Sequence, residues 1–474
     1  MARLHDLSAL EQAGAIKSKE ISPVELAQHY LQRIDKHNET VGAFITVTVE
    51  RALDEARAAE KAVVDGDDLP LLHGVPTGIK DLNNVKGERT TFGSVLMKDF
   101  IAPYDDFVVE KLRAGGMISL GKTNTPEFGF PCYTINDVAP VARTPWNLDR
   151  LAAGSSGGAA AAVAAGLIPM AQGSDGGGSV RSPASACGLV GIKTSRGRIS
   201  GGPLRVDPAG LGVTGPLALT VRDAAAFLDI ASGPGIGDPY WAPPLPDGES
   251  FLGHCDRDPG TLRIGRYIDP VIPGAQADPE VIEAWEKTCA FLESLGHTVE
   301  DVPPPIGPEV IPHFVNVWSL GAATIPVTDE QAKLMKPLTQ WLRQCGLALS
   351  GREAMDSHTQ IGLAARRAIE QYAPYDVVVA PVCTQVPRPI DWYDSAASPE
   401  EDFERQMRYS AYTSPYNVTG QPAISLPLHQ SDDGLPIGIM FVGRPADEAT
   451  LVSLSAQIES AAPWRDKHPD IWEA

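Results

Sequence analysis

Two Gly/Ser loops bracketing one short helix dominate the middle of the chain. Gly154-Ser155-Ser156-Gly157-Gly158 leads into an Ala-rich stretch, Ala159 to Ala165, and is followed by Gly173-Ser174-Asp175-Gly176-Gly177-Gly178-Ser179-Val180-Arg181. A flexible linker encloses no helix and has no need of apolar flanks, and these loops have both. They read as tight loops inside a packed core. Three consecutive glycines let the backbone take positive φ and turn successive N–H groups into one small space, as an oxyanion hole requires. Each donor aimed at a developing oxyanion is worth about 2.7–4 kcal/mol of barrier. Ser179, directly after them, is the candidate nucleophile. The stretch from Ser179 to Cys187, with Pro183 in its first turn, reads as a helix whose positive end adds to the same field.

The 474 residues allow about three domains or one large α/β domain. Ser22-Pro23-Val24-Glu25 is a capping-box pattern, followed by Ala27, Tyr30, Leu31 and Ile34 at helical spacing. A second helical stretch runs from about Val49 to Val64. Short apolar runs separated by Gly and Pro then read as buried strands: 74–81, 117–122, 262–267, 298–302 and 376–380. Asp278-Pro279 opens a helix that closes before Gly296. Strands alternating with helices predict an α/β sandwich. The stretches 201–259, dense in Pro and Gly, and 303–350, helical with several aromatics, read as irregular insertions that shape a pocket. No repeat or long linker divides the chain. One domain over 1–474 is expected, with a helical layer at 1–65, a catalytic core at 70–200, variable substrate-side segments at 201–350 and the rest of the sheet at 360–474.

A net charge of −21 repels phosphate backbones and anionic lipid, which excludes nucleic acid as a partner. Six well-separated cysteines form no CxxC pair or Cys/His cluster, so reduced thiols and no metal site are expected. The apolar run from Gly158 to Ala171 is shorter than the roughly 20 residues that span a bilayer. His5, Asp6 and Glu11 interrupt any signal-peptide core. A soluble cytoplasmic protein is the expectation, with no membrane partner and the oligomeric state open, a homodimer included.

A nucleophilic serine needs a base. Every histidine lies outside residues 74–200, although His73 borders that span and His313 or His429 could return through the fold. Lys80 is the other candidate: burial in its apolar, Gly/Pro-punctuated run would disfavour the ammonium form and lower its pKa.

The Gly-Val-Pro block with Lys80-Asp81, Gly121-Lys122-Thr123-Asn124, Thr144-Pro145-Trp146-Asn147, both Gly/Ser loops, Gly191-Ile192-Lys193-Thr194, Gly420-Gln421-Pro422-Ala423 and Gly434-Leu435-Pro436-Ile437-Gly438 together resemble the amidase-signature family of Ser-cisSer-Lys amidohydrolases. The resemblance implies an α/β/α sandwich with a large twisted mixed β-sheet flanked by helices, and no cofactor. It also implies Ser179 as nucleophile, Ser155 as bridging serine after a cis peptide, and Lys80 as base. Gly176, Gly177, Gly178 and the Ser179 amide would supply oxyanion donors, with Ser156, Asp175 and Arg181 supporting. Asp175 and Arg181 are expected to hold the glycine loop, and Ser156 and Lys122 to act as hydrogen-bonded scaffold. Gly176 stands where Thr or Ile is frequent in the family. Ser182 stands where the transamidosome subunit usually has Gln.

Three readings of function follow. The first is a hydrolase of small aryl or alkyl amides and of carbamates (urethanes), its pocket drawing on Trp241, Trp318, Trp341, Trp392, Phe314 and Tyr393. The second is an amidotransferase-type subunit that releases ammonia for a partner protein. The third takes Gly154 to Gly158 as the G-x-S-x-G elbow of an α/β-hydrolase, with Ser156 as nucleophile, and requires a strand immediately before the turn.

Overall fold

The computed structural model describes residues 3–393 and 395–474. Among these, eleven strands form one sheet: β1 (Phe44–Val47), β2 (Pro76–Lys80), β3 (Ile118–Thr123), β4 (Met170–Asp175), β5 (Val190–Lys193), β6 (Val213–Ala218), β7 (Arg263–Arg266), β8 (Thr298–Asp301), β9 (Val377–Pro381), β10 (Ala423–Gln430) and β11 (Pro436–Gly443). Their order is β1-β3-β2-β4-β6-β5-β10-β11-β9-β7-β8. Strand β2 runs parallel to both β3 and β4, and β7 to both β8 and β9. The run from β4 through β6, β5, β10 and β11 to β9 is antiparallel.

Successive side chains of a strand point to opposite faces, and two cores result. Met170 and Ala218 join one of them, packed under the helices Val221–Ala231, Pro279–Ser294 and Glu448–Ala461. Ala171 and Leu217 join the other, under the helices Pro23–Val41, Val49–Asp65 and Gly157–Ala164. This is the α/β/α sandwich with a mixed sheet that the sequence led us to expect. Ser22 caps its helix, its hydroxyl accepting from the Val24 and Glu25 amides at 3.0 and 3.3 Å, but the Glu25 carboxylate does not accept from the Ser22 amide in return, so only one arm of the expected capping box forms. No helix among the described residues is long and apolar enough to cross a membrane.

Three boundaries differ from the sequence reading. The first 65 residues are not purely helical, because β1 forms the edge of the sheet; four residues are too few for an alternation signal. The stretch 201–259 is not merely irregular. It holds β6, buried throughout at the centre of the sheet, and the Val221–Ala231 helix. Gly215 and Pro216 disguised β6 as loop, since both are disfavoured inside strands. The glycine is needed: a Cβ there would lie 1.8 Å from the Ile192 carbonyl oxygen on β5. With β7 and β8, which the sequence reading had placed, 201–350 contributes three strands to the sheet. Finally, the helix after Ser179 starts at Arg181, two residues later than read.

Parallel neighbours β2 and β4 end at Lys80 and Asp175 on the same edge of the sheet. The carboxyl ends of parallel strands are where α/β sheets hold ligands.

Candidate active site

Lys80, the last residue of β2, is fully buried. Its amide donates to Gln172 Oε1 on β4 at 2.9 Å. Its Nζ is hydrogen-bonded to Ser155 Oγ and Ser156 Oγ, both at 2.8 Å, and to Ser174 Oγ and the Ser174 carbonyl at 3.0 and 3.3 Å. Burial disfavours the ammonium form, the positive charge of Arg205 adds to that, and Asp175 opposes it. The net effect holds the Lys80 amine well below the ordinary lysine range. A neutral amine keeps two donors and one lone pair, so one of the surrounding hydroxyls can donate to it.

The first Gly/Ser loop presents its serines to Lys80 through a cis peptide between Gly154 and Ser155. Its glycines allow the following helix to sit against the sheet edge: a Cβ on Gly158 would lie 2.3 Å from the Asn124 amide nitrogen. The two loops are joined directly. Ser156 N donates to the Ser179 carbonyl at 3.1 Å, and Ser156 Oγ donates to the Ser174 carbonyl at 3.2 Å.

Asp175 organises the second loop. Its carboxylate accepts from the amides of Gly178 (2.8 Å) and Val180 (3.1 Å), from Arg181 Nε and Nη2 (3.0 and 2.9 Å) and from Asn417 Nδ2 (2.9 Å). Arg181 spends its remaining donors on the Thr413 carbonyl and Asn417 Oδ1. Burial on its own would raise the Asp175 carboxyl. The Arg181 guanidinium, helped by Lys193 and Asn417, overrides it and holds the group below the usual carboxylate range. The pair is therefore a scaffold for the loop, as the sequence suggested.

This scaffold corrects one expectation. The Gly178 amide is committed to Asp175 and is not free for an oxyanion. Of the three glycines only Gly178 takes a positive φ, +135°, and a Cβ there would meet Thr413 Oγ1 at 2.4 Å. The amides of Gly176, Gly177 and Ser179 have no acceptor among the described residues.

Ser179 lines a pocket with about 760 Å³ of empty space, part of it open to solvent. Its hydroxyl makes no hydrogen bond among the described residues, to Ser155 or to any other group. The histidines lie elsewhere: His73 on the Ala59 carbonyl, His313 on Ser357 and His429 on Thr288. Ser156 is wholly buried between Lys80 and Ser174, and no strand leads into Gly154, which removes the support for an elbow nucleophile. Lys122 donates to Asp81 and Thr90 at 3.0 and 2.8 Å, inside the scaffold.

The wall of the pocket is apolar. Phe130, Phe314, Trp318, Phe403 and Met407 line it, and among the described lining residues none is charged. Phe314 stacks on Trp318 at 5.6 Å and Phe130 meets the same ring edge-on at 5.8 Å. The ring of Trp318 lies 3.3 Å from where a Cβ at Gly176 would sit, so it fills the room a larger side chain would need there. Of the aromatics assigned to the pocket, Phe314 and Trp318 line it. Trp241 is 72% exposed, Trp341 packs on Phe403, and Tyr393 stacks on Tyr133 and meets Trp392 edge-on in a separate cluster. Phe130 and Phe403 carry no motif, and the sequence reading missed them. It also gave no role to Lys193, a fully buried amine that burial, then Arg181, pushes down to about 7.

Residues 25–452 match the family model described as Amidase. Over 489 aligned residues, 98% of this chain and 96% of the relative, the sequence is 34% identical to the 6-aminohexanoate-cyclic-dimer hydrolase of Paenarthrobacter ureafaciens. A solved structure of 6-aminohexanoate cyclic dimer hydrolase superposes with a TM-score of 0.91 at 32% identity, covering 99% of this chain and 100% of that one. A bacterial aryl acylamidase of the amidase-signature family gives 0.87 at 26% identity, with 98% of each chain covered. The matched span takes in Lys80, both Gly/Ser loops and all eleven strands, so the likeness covers sheet and site together. The chain belongs to the Amidase family, the amidase-signature enzymes that act on C–N amide bonds.

Proposed function

We propose that the chain is a serine amidohydrolase that cleaves small aryl and alkyl amides, and carbamates (urethanes), through an acyl-serine intermediate. Ser179 is the nucleophile, Ser155 the bridging serine and Lys80 the base. The observation that carries this reading is the buried Lys80 amine, 2.8 Å from Ser155 Oγ, whose neighbour Gly154 lines the same pocket as Ser179. Ser179 Oγ attacks the carbonyl carbon while its proton passes to Ser155 and the Ser155 proton to Lys80 Nζ. The free amides of Gly176, Gly177 and Ser179 receive the oxyanion. As the tetrahedral intermediate collapses the C–N bond breaks, the relay returns the proton to the departing amine, and water later releases the acyl group. A carbamate follows the same course: it loses its amine first, and the alkoxycarbonyl-serine is then hydrolysed to an alcohol and carbon dioxide.

The uncharged lining favours neutral amides. Glutamine, the donor of an amidotransferase subunit, would bring an α-ammonium and an α-carboxylate into a pocket that offers neither a partner. The names of the relatives, a cyclic-dimer hydrolase and an aryl acylamidase, point the same way. The test is amine release from matched anilide and phenylcarbamate pairs, combined with peptide mapping of the trapped acyl adduct. An adduct on Ser179 is expected. An adduct on Ser156, or turnover of glutamine with none of the anilides, would overturn the reading.

A further inference from the structure

The pocket at Ser179 does not end in a closed wall. Val271 and Ile306, at its far side, also line a second cavity of about 1130 Å³ that opens to solvent. This pair of side chains borders both spaces. Beyond the pair, Pro304, Pro305 and Pro308 form one bank of a groove. Prolines have no N–H to donate and keep a fixed φ, so this bank is apolar and preorganised. It is also anchored: Gln371 Nε2 donates to the carbonyls of Pro303 and Pro304 at 3.0 and 3.1 Å, and Tyr372 Oη donates to that of Pro303 at 2.8 Å. Arg367 lines the outer part of the groove, exposed and with no ion pair or hydrogen bond among the described residues. Glu309, which also lines it, turns its carboxylate back over Gly307, within 2.2 Å of where a Cβ there would stand. Among the described lining residues Arg367 is the one cation.

We propose that this groove is a second substrate subsite, which holds the distal alkyl chain of an elongated amide and pairs Arg367 with a carboxylate at the end of that chain. The inference rests on the amidohydrolase reading, because the groove is given its occupant by its continuity with the pocket of Ser179. The ligand class is an amide whose scissile carbonyl is separated from a terminal carboxylate by several methylenes, on either the acyl or the amine side. An alkyl chain suits proline faces, and the bare guanidinium suits only an anionic end.

The experiment measures kcat/KM for two homologous series, ω-carboxyacyl anilides and N-(ω-carboxyalkyl) benzamides, beside the same chains ending in methyl. Burial of a methylene predicts about a fourfold gain per carbon until the groove is filled. At the best length the carboxylate is expected to add up to about fivefold over methyl, the range of an exposed ion pair. Arg367→Gln should abolish the preference for carboxylate over methyl, Arg367→Lys should keep part of it, and Ile306→Trp, by narrowing the neck, should lower the long-to-short ratio. A flat length dependence in both series, or a carboxylate preference that survives Arg367→Gln, would overturn the subsite while short anilides are still cleaved. Failure of the amidohydrolase reading has a different signature, with neither short nor long amides turned over and no adduct on Ser179.

Discussion

In the floor of the site, behind the pocket-lining Gly154 and Gly177 to Ser179, Asp175 gathers hydrogen bonds from the amides of Gly178 and Val180 and from Arg181 and Asn417, and Lys80 is enclosed by three serines. On the wall, Phe130, Phe314 and Trp318 meet one another only through their ring faces and edges. Hydrogen bonds in a buried, low-dielectric site are directional, and each unmade one leaves a costly orphan, so the floor has one workable arrangement. Apolar contacts are individually weak and non-directional, so the wall has many. The two regions therefore carry different properties. On the proposed function, the floor fixes the reaction, and the wall, with the proposed groove subsite beyond it, selects what is brought to it.

The largest effects should come from the floor. Ser179→Ala and Lys80→Ala are each expected to lower kcat by on the order of 10⁴-fold or more, with the double variant little worse than the poorer single one, because relay members act as a unit. Ser155→Ala should retain slightly more, since a water can partly bridge the gap. Steady-state kinetics on one anilide, with circular dichroism to check folding, measures all four. Strictly multiplicative losses would break the shared relay. Asp175→Asn ranks next, since it leaves the fully buried Arg181 without its counter-charge; the cost is about 3–5 kcal/mol, read from urea unfolding. A loss below about 1 kcal/mol would mean the loop does not depend on that pair.

The same contrast explains what could be read from the sequence. The floor is built from residues close in the chain, 154–158 and 173–181, and from one lysine in a Gly/Pro-marked strand, so its chemistry appears as motifs. Long-range partners such as Asn417 and Thr413, which complete the Asp175 network, leave no local trace. The commitment of the Gly178 amide to Asp175 was hidden too, because spacing alone does not say which of several amides a carboxylate will take. The wall comes from four distant segments around Phe130, Ile306, Trp318 and Phe403, and an aromatic residue in a helix reads alike whether it lines a pocket or packs on a neighbour. Strand β6 was lost for a third reason, a central position bought with Gly and Pro that look like loop.

A pH profile probes the floor at intermediate scale. Lys80 must be neutral to accept a proton, and burial, then Arg205, holds its pKa below the ordinary lysine value. Deprotonation proceeds as pH rises, so kcat/KM should climb about tenfold per pH unit below that pKa and level off above it. The midpoint should fall well under 10. Lys80→Arg, charged at every accessible pH, should be inactive throughout. A midpoint near the free lysine value would mean that the amine is solvated when it works.

The smallest effect belongs to the wall, and it is the sharpest test of the division. Trp318→Ala removes the ring that covers Gly176 and stacks on Phe314, but touches none of the hydrogen bonds around Asp175 or Lys80. Aromatic pairs contribute about 0.5–1.5 kcal/mol beyond their burial, so KM for an anilide should rise up to about tenfold while kcat stays within about threefold. Aliphatic amides, which present no ring to stack, should respond less. Gly176→Ala adds a methyl 3.3 Å from the Trp318 ring, close enough that the ring must yield by a few tenths of an ångström, and should raise KM modestly. In the Trp318→Ala background that crowding is absent, so the same methyl should be nearly silent, a non-additivity expected of residues in contact. If Gly176→Ala is instead equally harmful in both backgrounds, its cost lies in the oxyanion amides and not in the ring. If Trp318→Ala lowers kcat a hundredfold at constant KM, the wall takes part in the chemistry and the separation of floor from wall fails.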